Sequence, residues 1–247
     1  MRKQSVTLSH FLSTASIIIF LIIWQMYAER VGNSFLMPNP GQVLKSLIVL
    51  LKDIDTYVII ATSLGRLAIS IFASVVLGLI LGLLSGIHYE LEALLKPLVV
   101  TLRTLPVVSI IVVVLILYGN TFSLYLISFL LLFPIIYQVE LDGIKNIDKT
   151  LLEVLKLDCD KCSFRSIRLV FFPLSMPFFR SGIIQSAGLG IKVLVVSEFI
   201  AQTKVSIGRE LYYNKLNLEF SVVFAWTIIL VFVVLLIEHL VNRYLKY

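Results

Sequence analysis

Apolar residues gather along this chain in long unbroken runs. Six of them stand out, at about 11–29, 57–87, 93–117, 121–141, 174–200 and 219–242. A helix needs about 20 predominantly apolar residues to cross the hydrocarbon of a bilayer, and backbone in lipid must satisfy its own hydrogen bonds. The pattern therefore predicts an all-α membrane protein with about six transmembrane helices. The third and fourth runs are separated only by the polar turn Tyr118-Gly119-Asn120-Thr121, and the third and fourth hold Pro106 and Pro134. Each proline removes a backbone hydrogen bond and predicts a kink.

Two segments between runs are too long to be turns. From about Arg30 to Asp55 the chain passes Met37-Pro38-Asn39-Pro40-Gly41 and then places Val43, Leu44, Leu47, Leu50 and Leu51 at helical spacing. This reads as a short amphipathic helix lying on the outer surface. From about Asp142 to Pro173 acids and bases mix, with Leu151, Leu152 and Leu155 on one side. That segment reads as a cytoplasmic amphipathic helix at about 148–165, a docking element for a partner protein. Residues 1–56 are then an N-terminal helix plus an outer segment, and 57–247 a core of five transmembrane helices.

Composition strengthens the membrane reading: the chain is 59% hydrophobic and 15% charged, with a mean hydropathy of +0.99, whereas about a quarter of an ordinary soluble domain is charged. The net charge of +6 does not point to nucleic acid, because Lys and Arg sit at run ends without interleaved aromatics. With an N-terminus inside, about twice as many Lys and Arg fall on cytoplasmic loops as on outer ones. This bias predicts a multi-pass membrane protein with both termini cytoplasmic. The N-terminal run lacks a small-residue cleavage site and reads as a retained helix rather than a signal peptide.

The second run carries small residues every fourth position, Ser70, Ser74, Gly78, Gly82 and Gly86, the pattern that lets helices approach closely in lipid. The fifth run is the most polar: Gln185, Ser186, Lys192 and Glu198 lie within it. Ionisable groups at membrane depth face a cavity or a partner, so these four are the candidate translocation pathway, with Lys192 favouring an anion. Lys192 and Glu198 lie roughly 120° apart around a helix and are not expected to pair. Arg66 and Arg103 are read as snorkelling to interfaces. Cys159 and Cys162 form a C-x-x-C without further ligands at zinc spacing, so no metal site is expected. No P-loop, H-E-x-x-H or nucleophile elbow is present, so the chain is read as a non-enzyme whose driving energy comes from elsewhere.

An ordered set of short blocks then resembles the permease subunits of binding-protein-dependent ABC importers, of the nitrate/sulfonate/taurine type, from about Met37 to the C-terminus. The blocks are Pro38-Asn39-Pro40, Ser63-Leu64-Gly65-Arg66, Leu102-Arg103-Thr104-Leu105-Pro106, Phe133-Pro134-Ile135 with Gly143, Phe172-Pro173 with Pro177, the stretch from Gly182 to Glu198, and Ile207-Gly208. The family's "EAA" docking motif would begin at Glu153, with Val154 and Leu155 where its alanines stand and Cys159 at its glycine.

The resemblance implies a type I importer permease fold. It also implies two ABC ATPase subunits docked on Leu152, Glu153, Leu155, Lys156 and Cys159, a second permease copy (a homodimer), and an extracytoplasmic substrate-binding protein. This chain would bind no cofactor of its own, ATP and Mg²⁺ acting through the ATPase. The cargo would be a sulfonate-, taurine- or nitrate-like anion or a vitamin precursor such as a pyrimidine. The alternative is a secondary transporter driven by an ion gradient, which dependence on a separate ATPase would exclude.

Overall fold

The computed structural model describes residues 2–33, 36–148, 150–151 and 164–245, and among them helices are the only regular structure. They are α1 (Arg2–Val31), α2 (Pro40–Lys52), α3 (Ile54–Ile87), α4 (Tyr89–Thr104), α5 (Val107–Tyr118) and α6 (Asn120–Lys145). A helical turn at Phe164–Ser166 and a π-helical turn at Ile167–Phe171 then lead into α7 (Phe172–Ala201), followed by α8 (Ile207–Leu216) and α9 (Phe220–Leu245). Among the described residues, four helices are long and apolar enough to cross a membrane: Ile54–Ile87, Thr121–Lys145, Ile167–Ala201 and Phe220–Val241. There are five if α4 and α5 together make one. The first apolar run lies inside α1, whose large side chains Ile17, Phe20 and Ile23 are exposed.

The third run is not one kinked helix. It breaks at Leu105-Pro106, and α4 and α5 meet at 103°. Proline disfavours helical backbone in the residue before it, and Leu105 accordingly takes φ −65°, ψ 137° while Pro106 itself is extended at ψ 129°. Pro134, by contrast, sits inside a continuous α6. The turn expected at 118–121 contracts to Gly119, whose φ of +74° suits glycine, and Asn120 already begins α6.

The chain divides into two compact units. The first comprises residues 1–58 and 210–231. Within it α2 starts at a capping box: the Asn39 side chain accepts the Gln42 N–H, the Gln42 side chain accepts the Asn39 N–H, and Pro40 takes the first helical position. Trp24 Nε1 donates to the Pro38 carbonyl at 3.0 Å, its ring lies 5.5 Å from that of Phe224, and Ser46 and Ser221 share a hydrogen bond of 3.0 Å.

The second unit, 59–209 and 232–247, holds α6 at its centre. α4 covers one end of α6 through Val99, Phe133, Tyr137 and Leu141. α5 covers the other through Ile110, Ile111 and Val114 on Ile127 and Leu131, which also meet Val193 of α7. α7 runs antiparallel along α6, with Gly182 beside Ile136 and Val139 and Gly190 beside Leu132.

The small-residue stripe of α3 runs against α6 as well. A Cβ at Gly78 would lie 2.9 Å from Ile136 Cβ, one at Gly82 2.8 Å from the Tyr137 carbonyl oxygen, and one at Gly86 2.5 Å from Ile144 Cβ. Ser70 and Ser74 bond back to the carbonyls of Arg66 and Ser70 and also reach those of Tyr125 and Phe129, at 3.3 and 3.4 Å. Close backbone approach and shared hydroxyls hold helices together where lipid removes the hydrophobic drive.

Candidate functional site

α7 has two unlike faces, and they separate the four polar residues the sequence singles out. Ser186 and Glu198 are fully buried, while Gln185 and Lys192 are exposed. The exposed face continues through Ser181, Leu189 and Val196. Gln185 Nε2 donates to Ser181 Oγ at 3.1 Å. Lys192 makes no ion pair among the described residues. On this face the α7 side chains present carboxamide, hydroxyl and ammonium groups outward at span depth, where a cationic group held against lipid is costly.

The buried face ends in a polar clamp. Glu198 Oε1 and Arg66 Nη1 are 3.0 Å apart, and Ser63 Oγ donates to the same carboxylate at 2.8 Å. The Gly208 N–H donates to Glu198 Oε2 at 3.2 Å, and the Ile207 N–H to Ser63 Oγ at 3.2 Å. Arg66 also donates to the carbonyls of Val205 and Lys204. Those bonds grip the link between α7 and α8, where Gln202 and Val205 hold left-handed backbone at φ 50° and 51°. Such conformations persist where surroundings over-determine them.

Gly208 admits this approach, since a Cβ there would lie 2.3 Å from the Phe199 nitrogen. Arg66 is therefore not a snorkelling residue: it is 9% exposed and neutralises Glu198 inside the protein. Its place nine residues into the apolar run hides this from sequence, because its partner is 132 residues away.

Arg103 is in the last turn of α4, two residues before the break between α4 and α5, and lines a cavity of about 370 Å³ together with Gln138 and Asp142 of α6 and Gln185 and Leu189 of α7. Gln138 Nε2 donates to Asp142 Oδ1 at 2.9 Å. Gln138 lies seven residues from the end of α6, roughly 10 Å in at 1.5 Å per residue. Sequence reasoning also passes over Glu140, which is buried in α6 and accepts a 2.6 Å hydrogen bond from Ser175 Oγ of α7. An acid inside an apolar run was the available signal for it.

Leu152, Glu153, Leu155, Lys156 and Cys159, with Cys162, lie outside the described residues. The segment opens at Asp148, whose Oδ1 accepts the Thr150 N–H at 2.9 Å, a bond that holds its carboxyl below the usual carboxylate range. Among the described residues no three His, Cys, Asp or Glu side chains gather as metal ligands.

A family described as "Binding-protein-dependent transport system inner membrane component" matches residues 74–247, which include α4 to α9 and the C-terminal part of α3. The chain belongs to this family. It is similar to the taurine transport system permease protein TauC of Escherichia coli (strain K12), 24% identical over 200 residues, covering 78% of this chain and 72% of that protein. The formylaminopyrimidine transport permease protein ThiX of Halalkalibacterium halodurans is 24% identical over 188 residues, covering 76% and 74%. The aliphatic sulfonates transport permease protein SsuC of Bacillus subtilis (strain 168), itself named as putative, is 26% identical over 188 residues, covering 75% and 67%. This importer permease is thus a multi-pass plasma-membrane component and not an enzyme; ATP hydrolysis resides in a separate subunit.

Proposed function

We propose that this chain is the translocation subunit of an ATP-driven importer and works as a homodimer. Its two copies face one another across the exposed polar face of α7, and a small anionic solute handed over by an extracytoplasmic binding protein passes between them. The observation that carries this reading is that face itself: Ser181, Gln185 and Lys192 point out of the protomer within a span. Polar and ionisable groups there are sustained by a water-filled path or a second polar surface rather than by lipid. The anionic character of the solute draws support from Lys192 and from relatives named for taurine and sulfonates. A pyrimidine, as in the name of the relative from Halalkalibacterium halodurans, is the competing cargo.

Both termini lie in the cytoplasm in this reading, and the segment at about 148–165 docks into two ATPase subunits through Leu152, Glu153, Leu155, Lys156 and Cys159. ATP and Mg²⁺ bind those subunits. Closure of the ATPases moves the docking segment, and the π-helical turn at Ile167–Phe171 leads that movement into α7; such turns recur at functional positions.

The test is purification of the tagged chain from its own host in mild detergent, followed by reconstitution. Recovery of an ATPase with a Walker A motif, and solute uptake that requires ATP, are expected, with Glu153→Lys weakening ATPase recovery. A chain that transports after reconstitution alone, driven by an ion gradient, overturns the reading in favour of a secondary transporter.

A further inference from the structure

The polar cavity between α4, α6 and α7 is not accounted for by lining a path in general terms. It contains Arg103, which forms no ion pair among the described residues and stands where a broken helix turns away. Opposite it are two carboxamides, Gln138 and Gln185, carried on different helices. A volume of about 370 Å³ is at the small end of ligand pockets, which run from about 300 to 1,000 Å³. Guanidinium offers a planar fork of donors that fits an oxyanion better than an ammonium does, and a carboxamide adds a donor and an acceptor.

We propose that this groove is a transient binding site, within the permease itself, for a small solute bearing an oxyanion group such as a sulfonate. Arg103 is the charge-selecting residue, with Gln185 completing the contact from the facing helix. This deepens, and rests on, the reading of the chain as a translocation subunit. Asp142, one turn further along α6, keeps the site shallow. Its carboxylate takes up one Gln138 N–H and offsets part of the Arg103 charge, so an anion is admitted and also released. A conduit needs that balance. The break at Leu105-Pro106 is what sets Arg103 here, because α4 ends beside α6 and α5 departs at 103° instead of covering the cavity.

The charge preference of the groove is measurable without transport. In the full chain carrying Cys159→Ser and Cys162→Ser, held in membrane vesicles with the subunits that accompany it, a reporter is introduced as Gln185→Cys or, separately, Leu189→Cys. Each is treated with sulfonatoethyl methanethiosulfonate, itself a sulfonate, and with the cationic trimethylammonioethyl analogue. Rates are referred to those of a free thiol.

The anionic reagent is expected to react on the order of tenfold faster than the cationic one, as local charge steering allows. Arg103→Ala should abolish that preference at both reporters and Arg103→Lys should keep most of it. Absence of any preference, a preference unchanged by Arg103→Ala, or no reaction with either reagent would each overturn the proposal. ATP-dependent uptake is read separately: its failure with the preference intact removes the importer reading and leaves the site, and the reverse removes only the site.

Discussion

Glu198 is fully buried in α7, and the residues around it explain how a carboxylate is tolerated there: Arg66, Ser63 and the Gly208 N–H all donate to it. Removing one partner of a buried ion pair leaves an uncompensated charge and costs about 3–5 kcal/mol. Arg66→Ala and Glu198→Ala should therefore each lower the thermal unfolding midpoint in detergent markedly. The double variant Arg66→Leu/Glu198→Leu should recover a good part of the loss, since neither charge is then stranded. Equal losses in Arg66→Ala and the double variant, with little loss in Glu198→Ala, would mean that the clamp acts through the Arg66 grip on the 204 and 205 carbonyls rather than through charge compensation. At the same scale, Gly208→Ala meets backbone at 2.3 Å and should prevent the α7–α8 link from closing, read as loss of folded protein in membranes.

Among the elements, α3 and α6 are held at backbone contact by the glycine stripe. A valine at Gly86 would press on Ile144, where even a Cβ comes within 2.5 Å. Overpacking of this kind costs about 1–3 kcal/mol or more, and here it would push apart two full-length helices. Gly86→Val should reduce the yield of monodisperse protein by size-exclusion chromatography, while Gly65→Val on the same helix, where nothing lies within 4 Å, should not. The α4–α5 break is the other feature of this scale. Pro106→Ala restores the missing N–H and lifts the restriction on Leu105. If the bend serves to leave the Arg103 groove open, the variant should keep normal abundance and lose solute uptake; uptake at the parent rate would separate the bend from transport.

For the whole molecule, the exposed face of α7 is the surface that needs a counterpart. Lys192→Ala should depress uptake of an anionic solute by the reconstituted importer several-fold, and Lys192→Arg should retain most of it. Unchanged uptake in Lys192→Ala would place that side chain outside the path. Cross-linking between introduced cysteines at Val196, which lies on the same exposed face, should yield a dimer of the chain; monomer alone under those conditions would argue against two copies meeting along α7.

Much of this protein is written in the linear chain because bilayer thickness imposes a length that apolar runs must match. The runs themselves, the α2 helix behind Asn39-Pro40, and the small-residue period of α3 are local patterns, and local patterns survive in sequence. The ordered blocks from Pro38 to Gly208 carried the family resemblance as well. Tertiary structure alone decided the partners of isolated charges. Arg66 pairs with a residue 132 positions away, and Arg103 faces Gln185 only because α4 and α7 both lie against α6. The depth of the break at Pro106 was also decided there: proline specifies that a helix is interrupted, but the angle of 103° depends on how α4 and α5 each seat on α6. A charge in an apolar run announces that it needs a partner, and only the fold supplies one.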